Sequence, residues 1–303
     1  MRLPLKGSFA GLLLIVAAMV CARTAHSDDF LAETTAWRAA RVAELTDYSG
    51  WLTLVGLYWF KEGSNTFGDA SSNAVVLDNP QLGKRAGTFV RHGNSVHFKG
   101  AKDTCVKANG APVIDLELKS DVGGEPTQLS CGSLRFYVIQ RGDQVGLRVR
   151  DILSPARRAF RGLDFFEAAE SWNVNARFEP YQPMRHIPIV NVLGMQADMD
   201  SPGAIVFERD GATWRLDTVL EEPQAHELFI MFADGTSGRQ TYGGGRFLYV
   251  PLPADGRVQV DFNKAHNPPC AFTPFATCPL PPLGNRISLP ITAGELKYAG
   301  HDH

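Results

Sequence analysis

The chain has 303 residues, 44% hydrophobic and 20% charged, which is enough for a large core in one big or two moderate domains. Its 30 Lys and Arg stand against 32 Asp and Glu, a formal net charge of −2 with no long run of one sign. That balance excludes nucleic acid and anionic lipid as partners, because both require a basic face.

Residues 1–27 read as a secretory signal. Arg2 and Lys6 precede an apolar run from Phe9 to Val20, and Ala25-His26-Ser27 sets small residues at positions −3 and −1 of a cut before Asp28. The run is about a dozen residues, where a membrane span needs roughly 20. Cys21 raises a lipid anchor as the alternative, but Val20 stands where a small residue is expected. Membrane attachment is therefore expected only through the signal or such an anchor, and the mature chain is expected in the periplasm or the medium. Losing Arg2, Lys6 and Arg23 leaves 27 basic residues against 32 acidic ones, a net charge of −5. Four cysteines remain, and an even number in an exported chain reads as two disulfides. Of the three possible pairings, sequence neighbourhood favours Cys105–Cys131 and Cys270–Cys278.

Residues 29–46 form the one good helix, capped by Asp28 or Asp29, with Phe30, Trp37, Ala40 and Leu45 spaced to share a face. From Trp51 onward strands and turns alternate. WLTLVGLYWF is a buried run, and FVRHGNSVHF and LRFYVIQRGDQVGLRV are pairs of strands about Gly93-Asn94 and Gly142-Asp143. AIVFERDGATWRLDTVL is the clearest hairpin, with Asp210-Gly211 suited to a type I′ turn. HELFIMF, RFLYV, RVQVDF and RISLPI add further strands. The fold class is mainly β, with one N-terminal helix. A change in composition across 154–184 divides the mature chain into a helix-plus-β unit, 28–160, and a C-terminal antiparallel β unit, 161–303, with a disulfide-closed, proline-rich loop. In the first unit, EGSNTFGDASSNAVVLDNPQLGKRAGTFV is loosely similar to the start of a forkhead-associated sandwich. Gly68-Asp69 and Lys84-Arg85-Ala86 depart from the residues that would bind phosphothreonine there. The resemblance thus implies a sandwich and not phosphopeptide binding.

Specific catalytic motifs are missing. There is no G-x-S-x-G elbow, no phosphate-binding loop, and His226-Glu227 lacks the second histidine of a zincin helix. Polar residues concentrate instead in DFNKAHNPPCAFTPFATCPLPPLGNR, 261–286. One reading makes this segment a brace. Pro268 and Pro269 withhold backbone donors, and the asparagines substitute by bonding nearby main chain. The other reading makes it an active site. Asp261 would orient His266 as general base, and Asn267 would face a developing oxyanion. Tyr242, Arg246, Asn263, Asn285, Arg286 and Glu295 would then hold substrate. Cys270 and Cys278 lack the spacing of a zinc knuckle, so no metal and no cofactor is expected.

TYGGGRFL, DFNKAHNPPCAF, CPLPPLGNR and ITAGE, in this order, resemble a bacterial and archaeal family known as domain of unknown function 1684. The Trp51–Leu54 stretch and GLYWFKEGSNTFG also look like it, so the resemblance is expected over most of the mature chain. It implies no activity. The expected function is a non-enzymatic module that binds a small molecule or an envelope component. The alternative is an extracytoplasmic hydrolase using His266 with Asp261.

Overall fold

The computed structural model describes the backbone of residues 10–300 and the side chains of residues 28–300. Arg2 and Lys6 of the expected leader lie outside the described residues, as do the side chain of Cys21 and the tail 301–303. One long helix, α1, runs from Ala10 to Thr46. No cap at Asp28 or Asp29 starts it, because the helix is already under way there. Among the described residues no helix is long and apolar enough to cross a membrane. Phe30, Thr34, Arg41 and Leu45 are the buried positions of α1. Ala40, expected on that face, is exposed, and Arg41 takes its place.

The rest is mainly β, as the alternation of side chains predicts. Two sheets come from the first half. In one, β1 (Leu54–Trp59) is followed across the sheet by β8 (Gln144–Asp151), β7 (Leu134–Arg141) and β6 (Leu129–Cys131), with two short strands beyond. In the other, β2 (Gly63–Gly68), β3 (Gly87–His92), β4 (Ser95–Gly100) and β5 (Asp115–Leu118) lie side by side. The two pack face to face as a sandwich. Phe67 of β2 meets Phe136 of β7 edge-on with ring centroids 5.4 Å apart, inside a core that also holds Phe89, Phe98, Leu147 and Val149. Cys105 and Cys131 close a disulfide at the edge of this core, as their spacing led us to expect.

The second half supplies a four-stranded sheet in the order β11 (Ala212–Thr218), β10 (Gln196–Arg209), β9 (Asn173–Val190), β14 (Arg257–Asp261). It also supplies a two-stranded ladder, β12 (Glu227–Phe232) with β13 (Arg246–Pro251). No strand ladder among the described residues crosses from one half to the other. The turn between β10 and β11 is of type I′. Asp210 and Gly211 both have positive φ, 54° and 74°.

The β12–β13 ladder is buried on both faces, and strand alternation sorts its side chains. Leu228, Ile230, Leu248 and Val250 join the C-terminal core. Phe229, Met231 and Phe247 point the other way, toward Trp51 and the proline-rich loop. Tyr249 follows Phe247 on that second face and opens onto the groove described next.

Candidate functional site

The motif-rich segment is largely a brace. Asp261 ends β14, and a 3-10 turn over Phe262–Lys264 follows. The Asp261 carboxylate accepts from the backbone N–H of Asn263 at 3.0 Å and from its side-chain amide at 2.8 Å. Asn263 in turn clasps Ala169, accepting from its N–H at 3.0 Å and donating to its carbonyl at 2.9 Å. Asn285 staples two strands, accepting from the Asp217 N–H at 2.7 Å and donating to the carbonyls of Asp217 and Met231. Neither reaches a cavity.

A second knot lies beneath α1. Arg41 donates to Glu295 at 3.0 Å, to Glu44 at 2.9 Å and to the Asn267 carbonyl at 3.0 Å. The other oxygen of Glu295 accepts the Asn267 N–H at 2.8 Å. The Asn267 amide donates to the Leu296 carbonyl at 2.7 Å. Burial holds the Glu295 carboxyl above its ordinary range, against the pull of Arg41. Arg246 is also interior. It pairs with Asp234 and donates to the carbonyls of Ala293 and Ile291. Gly294, at φ +81°, lets the ITAGE turn close, since a Cβ there would lie 2.3 Å from the Ala265 carbonyl oxygen. Asn267, Arg246 and Glu295 are thus tied into the protein interior, with only the Asn267 Oδ1 and the Arg246 Nε lacking a partner, and Arg246, unlike Arg148, has its charge paired. Arg286 is exposed, and Tyr242 is half-buried with its hydroxyl 3.4 Å from the Cys270 carbonyl.

Two expectations need correction. Asp261 does not orient His266, because the turn after β14 carries the two side chains to different partners. The His266 Nδ1 faces the Lys264 carbonyl at 3.2 Å. Nor are Cys270 and Cys278 bridged. Both are buried free thiols, and the Cys278 sulfur accepts the backbone N–H of Cys270 at 3.1 Å. Among the described residues no cluster of three or more His, Cys, Asp or Glu could hold a metal ion.

What the fold does bring together is a groove of about 350 Å³ between the halves. The outward face of the first sheet contributes Arg141 and Arg148, and Trp51 closes that side. The C-terminal half contributes Glu221, Tyr249, His266 and Thr277. The alternation RVRD in β8 explains the arginines. Val145, Leu147 and Val149 face the sandwich core, so Arg148 and Arg150 must face out.

Arg148 is the unusual member. It is 4% exposed, yet no carboxylate of the described residues pairs with it, and its Nε has no hydrogen-bond partner. The groups that contact its guanidinium are neutral. The Thr277 hydroxyl lies 3.5 Å away, the Trp51 ring 5.5 Å away, and Tyr137 sits opposite it across the ladder. Burial alone would raise the Tyr137 phenol, but Arg148 and Arg150 together bring it below its ordinary value. Arg141 beside it is paired, 2.8 Å from Asp121.

His266 is held as a neutral acceptor. Its ring stacks on Tyr249 at 5.9 Å and 16°, with Phe247 and Trp37 on other sides. Loss of solvation, then the positive charge of Arg41, lowers its pKa to about 3, outweighing the Lys264 carbonyl. With Nδ1–H given to that carbonyl, Nε2 keeps its lone pair and has no partner among the described residues. Tyr249 donates to Glu221 at 3.0 Å, and loss of solvent on the groove side of this otherwise exposed residue raises its carboxyl above the usual range. The sequence reading placed His266 and Tyr242 near a site but missed Arg148, Trp51, Glu221 and Tyr249. The clue available was the pair of arginines on the outward register of a strand whose inward residues are all apolar.

Comparison with known proteins is narrow. No curated protein matches the chain. A solution NMR structure of an uncharacterized protein from Haloarcula marismortui is 28% identical, covering 48% of this chain and 83% of that one, with a TM-score of 0.41. The family profile described as "Protein of unknown function (DUF1684)" matches residues 158–296, so the resemblance covers the C-terminal half and not most of the mature chain. What the chain shares with that family is confined to this half, where GGGR, NKAHNPP and ITAGE also lie.

Proposed function

We propose that this chain is an extracytoplasmic binding protein that takes a small anion-bearing molecule in the groove between its halves. The observation that carries the reading is Arg148. A guanidinium taken out of water without a counter-charge costs several kcal/mol. A bound carboxylate or phosphate would supply that charge, and the bidentate fork of arginine suits either. The leader-like N-terminus and the Cys105–Cys131 disulfide favour an oxidising compartment.

Catalysis by His266 is the weaker reading. A general base works best with a pKa near the operating pH. An imidazole lowered to about 3 and lacking a carboxylate partner holds a proton poorly in a transition state.

The test is binding of small carboxylates and phosphate esters to the whole protein, followed by titration calorimetry and thermal stability. Ligand at about 100 times its dissociation constant should stabilise the fold by about 2.7 kcal/mol. Arg148→Met keeps the apolar stem and should abolish that gain. Anion binding that survives Arg148→Met unchanged sinks the proposal.

A further inference from the structure

The groove is electrically two-ended. The first sheet supplies Arg148, a buried cation without a carboxylate. The C-terminal half supplies Glu221, a carboxylate with no cation within 4.0 Å among the described residues, whose one side-chain hydrogen bond comes from the neutral Tyr249 hydroxyl. The other charges in the lining cancel locally. Arg41 pairs with Glu44 at 2.9 Å, and Arg141 pairs with Asp121 at 2.8 Å. In the same groove His266 adds a second feature suited to a cationic donor, the Nε2 lone pair left free by the Nδ1–H bond, on a ring held in place by its stack on Tyr249.

A plain anion would satisfy Arg148 and leave Glu221 and the His266 acceptor unused. A second anionic group would be repelled at that end. Resting on the anion-binding reading above, we infer that the ligand is a zwitterion. Its carboxylate or other anion lies on Arg148, and its ammonium group lies between Glu221, His266 and Tyr249. Amino acids with separated charges, and amine-bearing acids generally, have this chemistry. The groove of about 350 Å³ accommodates a molecule of that size.

Three probes of one skeleton test it: 5-aminopentanoate, pentanoate and pentylamine, each titrated into the whole protein by calorimetry. The expected result is that 5-aminopentanoate binds at least about 10-fold tighter than pentanoate, a difference of about 1.4 kcal/mol. Glu221→Gln should erase that preference while leaving pentanoate affinity unchanged. Because Glu221 is exposed, this variant is not expected to unfold the protein, and its melting temperature is the control. Arg148→Met should weaken both acids. Equal binding of the two acids, or a preference that survives Glu221→Gln, overturns the zwitterion inference and leaves the anion site standing. Pentanoate and aminopentanoate binding that is absent, or indifferent to Arg148→Met, overturns the anion site itself.

Discussion

The proline-rich segment 261–286 and the outward face of β7 and β8 make opposite use of polar side chains. The first is dense in aspartate, asparagine and histidine, and its asparagines are mostly spent on main chain elsewhere in the protein, with the Asn267 Oδ1 left over. Asn263, Asn267 and Asn285 together bond the main chain of Ala169, Leu296, Asp217 and Met231. The second has no motif, yet it leaves Arg148 buried and unpaired by any carboxylate. Polar groups mark a site when the fold leaves them unsatisfied, whatever their density in the sequence.

The comparison breaks first if the interior charges are not structural. Asp234→Ala strands Arg246 without its partner, at 1% exposure, and should cost about 3–5 kcal/mol in denaturant unfolding. A cost below about 1 kcal/mol would show that the knot is dispensable. Asn285→Ala deprives one buried and two part-buried backbone groups of their partner and should cost about 2–3 kcal/mol in the same measurement. Unfolding equilibria that barely move would return Asn285 to the list of ligand-binding candidates.

Acidity separates His266 from both groups. Its folded pKa of about 3 lies below the ordinary 6.5, so the unfolded chain takes up this proton first. Stability should therefore fall as pH drops from about 6.5 toward 3 and level off below that. His266→Phe keeps the stack on Tyr249 and should flatten this part of the pH–stability profile. An unchanged profile would mean that His266 titrates alike in both states. The smallest effect is the most telling. Arg148→Met should leave stability within about 1 kcal/mol of the parent or raise it, because an unpaired buried charge is replaced by apolar surface. A large loss would move Arg148 into the structural class and close the case for the groove.

Much of the architecture is legible from residues alone. The Phe-rich alternation of β2, β3, β4 and β7 gives the sandwich, and turn dipeptides such as Asp210-Gly211 fix where strands reverse. The Cys105–Cys131 bridge follows from position. The pairing of Asp261 with His266 does not, because five residues containing a 3-10 turn can aim two side chains almost anywhere. The thiols of Cys270 and Cys278 show the same limit, since closeness in sequence does not set the direction of the Cβ vectors. Arg148 was hidden for another reason. Its neighbour Trp51 reaches it only through the pairing of β1 with β8, and Thr277 only when the two halves meet.

The clasp of Arg41 on Glu295 also sets an order of events. These residues are 254 positions apart, and Arg41 reaches the Asn267 carbonyl across 226 positions. The helix segment is synthesised before nearly everything it packs against. The sandwich, whose core residues lie between Phe60 and Val149, needs none of the chain's end to close. Closing contacts of such long range comes late, because the loop entropy must be overcome first. We expect pulsed hydrogen exchange during refolding to protect β7 and β8 before residues 30–45. Simultaneous protection would mean that the helix docks through contacts nearer in sequence. A chain that seats its first helix last keeps the groove open to solvent until its final residues are in place.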